Sequence, residues 1–536
     1  MAQSRREKSE AAGYVILKYS SVLRRQRSIF GPEIYPEIGR FRADSFNTSG
    51  EELMVTKAYM IIDGNDTKAI SGRTFDRISG ITESVVSTAS AASIEDAREA
   101  IKSAAKAFTL WSRTSPLVRR DCLARAAARL EAASKEIATV MMMETGAAKS
   151  WADFNVKLAC DVLREAAALT THVTGDVIPT NTPDSLSLAT REPWGVCLGI
   201  APWNAPIILF VRSFALAVAC GNTVVMKASE LCPATHYLIV KAITNDALPP
   251  GVVNMVSHAA EDAPEIVQAM IADPLVKHVN FTGSSHVGRI IATHAAQYLK
   301  PVLLELGGKS PTIVLDDADL DDAVDAAAFG SFMHQGQVCM ATGRVIVLES
   351  VADEFVEKFT RKAKALERTN YGENAPLGAL ISKAAAARIE TLIRDAVEKG
   401  AIRRSGSNPQ GTFMDPTVLD RVTPEMEIYY AEAFGPVAPV IRVKDVDQAV
   451  EIANDTEYGL SAAIFSRNIA AAMAVSRRIE SGICHINGPT IQDEAQIPFG
   501  GVKASGYGRF GGRGSVEAFT YLRWLTIETR KHHYPF

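Results

Sequence analysis

The chain has 536 residues, 47% hydrophobic and 22% charged, with 36 Gly and 24 Pro; this is ordinary globular composition with length for two or three domains, and it excludes a disordered or collagen-like chain. Lys and Arg number 57 against 61 Asp and Glu, a formal charge of −4. That balance gives no general electrostatic reason to bind nucleic acid or an anionic membrane, so small molecules are the expected ligands.

In chain order, the first 50 residues carry nine Lys/Arg and five acids. This basic end reads as a disordered extension over residues 1–55. A mitochondrial transit peptide is the minority alternative, because Glu7 and Glu10 interrupt it, and the cytoplasm is the expected compartment. Ordered structure is expected from YMIIDG (59–64), an apolar run ending in an Asp-Gly turn. SIEDAREAIKSAAKAF (93–108) predicts an amphipathic helix: Ser93 and Asp96 form a capping pair, and Ala97, Ile101, Ala104, Ala105 and Phe108 share one face. A second helix is expected after Ser115, with Pro116 in its first turn, running on through Glu144.

From residue 196 short β-branched runs alternate with helical segments in units of about thirty residues, the pattern of a parallel sheet with crossovers. The stretch APIILFVRSFALAVAC (205–220) is 16 residues long with Arg212 near its middle. It is too short and too costly to span a bilayer and predicts a buried helix. A further αβ series from PTIVLD (311–316) to AAIFSR (462–467) implies a second α/β domain. No repeat or low-complexity tract interrupts it.

Seven cysteines are scattered at 122, 160, 197, 220, 232, 339 and 484, with no C-x-x-C pair and no spacing suited to zinc. No metal is expected, and reduced thiols are the default. Cys339 differs from the others: in FMHQGQVCMATG (332–343) two glycines and several polar side chains surround it, whereas core cysteines sit in apolar runs such as AVAC at 217–220. It is the candidate nucleophile. In LLELGGKSP, Glu305 stands just before a Gly-Gly turn at a strand end, where burial raises a carboxyl toward a useful general base; an acid there equally caps a helix. Asn204, between Pro202 and Pro206, is either an oxyanion donor or a helix cap. NFTGSSHVG (280–288) leads a strand into a helix whose first amides can face a phosphate, although GxxxxG alone is also a plain structural turn. Lys227 and Glu230 in MKASE suit a ribose, or form a solvated ion pair.

Taken together and in order, PWNAP, KASE, FTGSSHVG, ELGGKSP with GQVC 34 residues beyond Glu305, AEAFGPV (431–437) and PFGGVKASGYGR (498–509) resemble the aldehyde dehydrogenase superfamily from about residue 59 to the C-terminus. The resemblance implies an α/β fold with a Rossmann-like cofactor domain (56–173 and 196–305), a catalytic α/β domain (306–507) and a small β oligomerisation arm (174–195 and 508–536), assembled as a homodimer or homotetramer. It implies oxidation of a small aldehyde with NAD, NADP remaining possible because some members with this acid use both. Cys339 then matches the nucleophile, Glu305 the base that activates water, and Asn204 the oxyanion donor. Lys227 and Glu230 match the adenosine-ribose residues, Trp203, Gly283, Ser284 and Gly288 the pyrophosphate-side segment, and Glu432 and Phe434 those holding the nicotinamide ribose and ring. Ala431 stands where many members carry a second acid, and His334 where Asn is frequent.

The stretch INGPTIQDEAQIPFGGVKASGYGRFGG (486–512) and the ending RKHHYPF resemble the branch that oxidises aromatic aldehydes of the salicylaldehyde, vanillin and benzaldehyde type. In this family the helix after PWN lines the substrate tunnel, which implies Ala205, Ile208, Leu209 and Arg212 as lining residues, with Ile491 and Phe499 opposite. The spacing of the first four is one helical face. Arg212 in an apolar tunnel requires an anionic or hydrogen-bonding partner: a phenol or carboxylate of the substrate, or an acid of the protein. A succinate-semialdehyde type of substrate is the alternative to an aromatic one. A catalytically silent structural homologue is the non-enzyme alternative, against which the joint presence of Cys339, Glu305 and Asn204 speaks.

Overall fold

Short runs rich in Val, Ile and Leu build the first large sheet, four of its five parallel strands each followed by a turn and a helix. In space its order is Gly506–Tyr507, Val302–Glu305, Val276–Thr282, Val196–Ile200, Thr223–Lys227, Val253–Val256, Met60–Ile62 and Asn65–Thr67. The five inner strands are parallel and the outer ones antiparallel. The parallel part begins at Val196–Ile200, with the next two strands laid on one side and the following two on the other. That reversal opens a crevice at the carboxyl ends of the central strands. The computed structural model describes residues 55–536 apart from 183, 245, 367–375 and 532; the extension expected over 1–55 lies, but for its last residue, outside these.

A second sheet, in the order Ile402–Arg403, Thr417–Asp420, Val437–Val443, Thr342–Leu348, Ser310–Val314, Ser461–Phe465 and Ile483–Ile486, is parallel except for its first strand. The turn 306–309 joins the end of Val302–Glu305 to this sheet. It therefore brings the carboxyl edge of one sheet to the amino edge of the other. A third, antiparallel sheet of Asp176–Ile178, Ser185–Pro193 and Thr520–Glu528 stands apart from both, its register running from Thr520 opposite Pro193 to Glu528 opposite Ser185. Its last strand leaves Trp524 75% and Leu522 58% exposed. The α/β fold expected from the sequence is the fold observed.

Helix Pro206–Ala219 is buried along its whole length, as its apolar composition requires. Ser93 caps Ile94–Trp111 in a reciprocal box with Asp96. The long helix expected from Ser115 onward is corrected to two, Pro116–Ala132 and Ser134–Thr145, which part at Ala133. The break lets both pieces pack on helix Lys149–Leu169. Small residues at 132–134 put nothing in the way of the bend. Among the described residues no helix is long and apolar enough to cross a membrane, and no cluster of His, Cys, Asp and Glu could hold a metal ion.

Candidate active site

Each segment singled out in the first α/β series ends at the same edge of the first sheet. Trp203 and Asn204 follow Val196–Ile200, Glu230 follows Thr223–Lys227, Gly283 and Ser284 follow Val276–Thr282, and Glu305 closes its strand. Cys339 and the pair Glu432 and Phe434 come from the facing amino edge of the second sheet, just before Thr342–Leu348 and Val437–Val443. Residues more than a hundred positions apart thus converge at one crevice.

Cys339 is half-buried, while five of the other cysteines are buried and Cys484 is exposed. Its loop is tightly held. His334, Gln335 and Gly336 take left-handed backbone (φ 49°, 55° and 68°), and the Gln337 carboxamide oxygen accepts from Ile381 N–H at 2.9 Å. Two non-glycine residues in this strained region mark a loop that its surroundings over-determine. Gly308 is needed beneath it, because a Cβ there would stand 2.3 Å from the Cys339 carbonyl oxygen.

Glu305 is 1% exposed. Burial pushes its carboxyl up to about 8, the neighbouring thiol and Arg212 working in the opposite direction. The same burial, with the Glu305 charge, holds the Cys339 thiol well above its ordinary value. The two groups lie close enough to shift each other's proton, yet no hydrogen bond of ordinary geometry reaches either carboxylate oxygen. Asn204 donates from Nδ2 to the carbonyl of Gln337 at 3.0 Å, and its own carbonyl accepts from Trp151 Nε1 at 3.0 Å. It is not the cap of the next helix, a place held by Ala205. One amide hydrogen of Asn204 therefore stays available beside the Cys339 loop. His334 stacks on Trp151 at 5.0 Å and 11° behind this arrangement.

At the other end of the crevice, Lys227 Nζ donates to Glu230 at 3.2 Å, a largely buried pair rather than a solvated one. Ser284 caps helix Ser285–Gln297 by accepting from Val287 N–H. Gly283 and Gly288 have packing reasons, since a Cβ would meet the Phe281 ring at 2.4 Å or Leu306 at 2.5 Å. The Phe434 ring lies edge-on to Trp203 at 5.8 Å, and the Glu432 carboxylate accepts from Gly308 N–H at 3.0 Å. An acid and a cation for ribose hydroxyls, a helix N-terminus for a pyrophosphate, and an acid and a ring beside the thiol form a donor set that fits a nicotinamide dinucleotide.

Ala205, Ile208, Leu209, Ile491 and Phe499 share one apolar cluster, against which Cys339 packs. Arg212 reaches into the same region with its guanidinium 4.7 Å over the Phe499 ring. The sequence left its partner open between a phenol or carboxylate of the substrate and an acid of the protein, and the structure shows an acid beside it. Asp493 accepts from Nη2 at 2.6 Å, and both side chains are buried. Asp493 lies 281 residues away in sequence, so nothing local pointed to it beyond its being an acid in an apolar setting. Among the described residues Arg212 Nη1 and Asp493 Oδ1 have no hydrogen-bond partner. Lys309, within the quoted ELGGKSP, was not singled out and proves fully buried beside Glu432.

A family model described as the aldehyde dehydrogenase family matches residues 67–525. A vanillin dehydrogenase of a Pseudomonas species is 54% identical over 89% of this chain and 99% of its own length. A salicylaldehyde dehydrogenase of Pseudomonas putida is 46% identical over 90% of this chain and 99% of its own. The crystal structure of a salicylaldehyde dehydrogenase from Pseudomonas putida, complexed with salicylaldehyde, superposes with a TM-score of 0.88 at 44% identity, covering 90% of this chain and all of that one.

Proposed function

The chain belongs to the aldehyde dehydrogenase family, and from that premise we propose that it oxidises aromatic aldehydes bearing a ring hydroxyl to the corresponding acids, with NAD+ as hydride acceptor. The observation that carries this reading is the Arg212–Asp493 pair set against the apolar residues that pack around Cys339. One buried donor and one buried acceptor stand unpartnered there, and a buried polar atom without a partner costs about 1–3 kcal/mol. A ring hydroxyl both donates and accepts, so it answers both. Because Asp493 already neutralises Arg212, a second carboxylate on the substrate finds no free charge, which disfavours the succinate-semialdehyde alternative.

In the mechanism, the Cys339 thiol loses its proton to solvent and the thiolate attacks the aldehyde carbon, forming a C–S bond as the carbonyl π bond opens to an oxyanion. Asn204 Nδ2 and the backbone N–H of Cys339 hold that oxyanion. A nicotinamide held beside Phe434 and Glu432 would supply the hydride acceptor that lets the oxyanion collapse to the thioester. A thioester remains on Cys339. Glu305 then removes a proton from water, the hydroxide adds to the thioester carbon, and the C–S bond breaks to give the acid and the thiolate. Phe434 and Trp203 exclude water from the hydride face, while Lys227 and Glu230 hold the adenosine ribose. The Glu230 carboxylate repels a 2′-phosphate, which favours NAD+ over NADP+.

The test is a panel of salicylaldehyde, vanillin, benzaldehyde and succinate semialdehyde, each run with NAD+ and with NADP+ and followed by nicotinamide absorbance. The two hydroxylated rings with NAD+ are expected to give the highest kcat/KM, about tenfold above benzaldehyde. Turnover confined to succinate semialdehyde would end the substrate reading.

For assembly, the exposed Leu522, Trp524 and Ile527 of the arm support a homo-oligomer in which a second copy covers this strand. Sedimentation of the full chain is expected to give a dimer or larger, and Trp524→Glu to shift it toward monomer. A monomeric parent protein would remove this proposal.

A further inference from the structure

The cofactor site contains a buried cation that the reaction above does not use. Lys309 follows the Gly307–Gly308 turn and is 1% exposed. Among the described residues no carboxylate lies within ion-pair distance of it; its Nζ donates instead to two backbone carbonyls, those of Ile428 and Ala431, each at 2.7 Å. These belong to the short helix Glu427–Tyr430 and the residue after it, where carbonyls lack helical partners and a cation is favoured. The next residue is Glu432. Two arginines act on the same stretch: Arg344 Nη2 donates to the Tyr429 carbonyl at 2.9 Å, and Arg388 to the carbonyls of Glu432, at 3.1 Å, and Ala433. The Glu432 carboxylate in turn accepts from Gly308 N–H, on the residue just before Lys309. The segments 308–309 and 428–432 are thus joined by three hydrogen bonds across two loops of the second sheet.

We propose that Lys309 is a positioning residue, which fixes the 428–431 backbone so that the Glu432 carboxylate stands ready for the nicotinamide-ribose hydroxyls, and that cofactor affinity falls when its charge is removed. This rests on the reading that Glu432 meets the cofactor. The absence of an acid at Ala431 matters here, because it leaves only carbonyls and the flanking Glu432 to answer the Lys309 charge. Burial, with Arg344 and Arg388 nearby, brings the amine down to about 7, Glu432 opposing them. The amine is therefore charged below that pH and loses its charge as pH rises through it. Burial pushes the Glu432 carboxyl up, so falling pH weakens binding by protonating Glu432. Affinity passes through a maximum, and its alkaline side belongs to Lys309.

The test measures NAD+ binding by calorimetry from about pH 6 to about pH 9 for the wild type, Lys309→Met and Glu432→Gln. Each protein is also assayed for hydrolysis of 4-nitrophenyl acetate, an activated ester that acylates the Cys339 thiol without a hydride acceptor. Lys309→Met is expected to raise the Kd for NAD+ about tenfold and to lose the weakening above neutral pH seen in the wild type, with ester hydrolysis within about twofold of wild type. An unchanged Kd and pH profile in Lys309→Met, while Glu432→Gln weakens binding, overturns the role of Lys309 alone. An unchanged Kd in Glu432→Gln overturns the underlying reading of Glu432. Loss of NAD+ binding and ester hydrolysis together in Lys309→Met makes the residue a structural support only and likewise overturns the proposal. The wild-type pH profile gives a test independent of any variant, and an affinity flat above neutral pH counts against it.

Discussion

Cys339→Ala is expected to abolish aldehyde oxidation, a fall of about 10⁴-fold or more, with NAD+ binding and the melting temperature retained. The reaction proposed here has no step that avoids a C–S bond, so no other residue can share the loss. The remaining thiols cannot substitute. Cys197 and Cys220 are enclosed in the core, where burial pushes their protons up, Cys160 is pushed up to about 11, and the exposed Cys484 sits on an edge strand of the second sheet. None stands opposite Glu305 and Asn204. Removing one half-buried thiol leaves a small cavity, worth about 1 kcal/mol or less. The measurements are nicotinamide absorbance with salicylaldehyde and calorimetric titration with NAD+. Activity within about tenfold of wild type would exclude the covalent route.

Glu305→Gln is expected to separate the two halves of the reaction. Steady-state turnover falls by about 10²- to 10⁴-fold, the contribution of a general base, while a first equivalent of reduced cofactor is still released as the thioester accumulates. Its pH dependence follows from the raised carboxyl. With Glu305 held up to about 8, the base form grows as pH rises through that value, so wild-type turnover climbs over this range and the Gln variant loses the limb. The stability consequence has the opposite sign from that of a salt-bridged acid. A carboxyl whose folded value lies above its unfolded one costs nothing below the unfolded value and opposes folding increasingly as pH rises from there to the folded value. The Gln variant therefore melts higher than wild type above about pH 8. Stopped-flow absorbance, mass spectrometry of the acyl-enzyme and calorimetric melting check these points. A variant with full turnover, or one without the first-turnover burst, contradicts the assignment.

Much of the site was legible because its residues sit in local contexts with a physical meaning. Cys339 in a Gly- and polar-rich segment, Glu305 before Gly-Gly and Asn204 between prolines are each marked by their neighbours in the chain. The order of the motifs then supplied the family. Local context was less informative where a side chain serves a distant partner. Arg212 was recognised as anomalous, since a charge in an apolar helix needs an answer, but a local pattern cannot specify a partner 281 residues away. Lys309 escaped notice for the same reason: a lysine after Gly-Gly reads as a surface residue until the 428–431 carbonyls are placed against it. The long helix expected through Glu144 breaks at Ala133, because packing on a third helix outweighs the continuous helical preference of Ala-rich sequence.

The sequence by itself determined the periodicity of the elements, the alternation that makes two parallel sheets, and the candidates for nucleophile, base and amide donor, because these depend on near neighbours along the chain. Tertiary structure alone decided how far each proton is shifted, that Arg212 is already paired, and that Lys309 holds the segment carrying Glu432. Desolvation and charge pairing act through space at a few ångströms. Those distances exist only once the carboxyl edge of one sheet has been closed against the amino edge of the other.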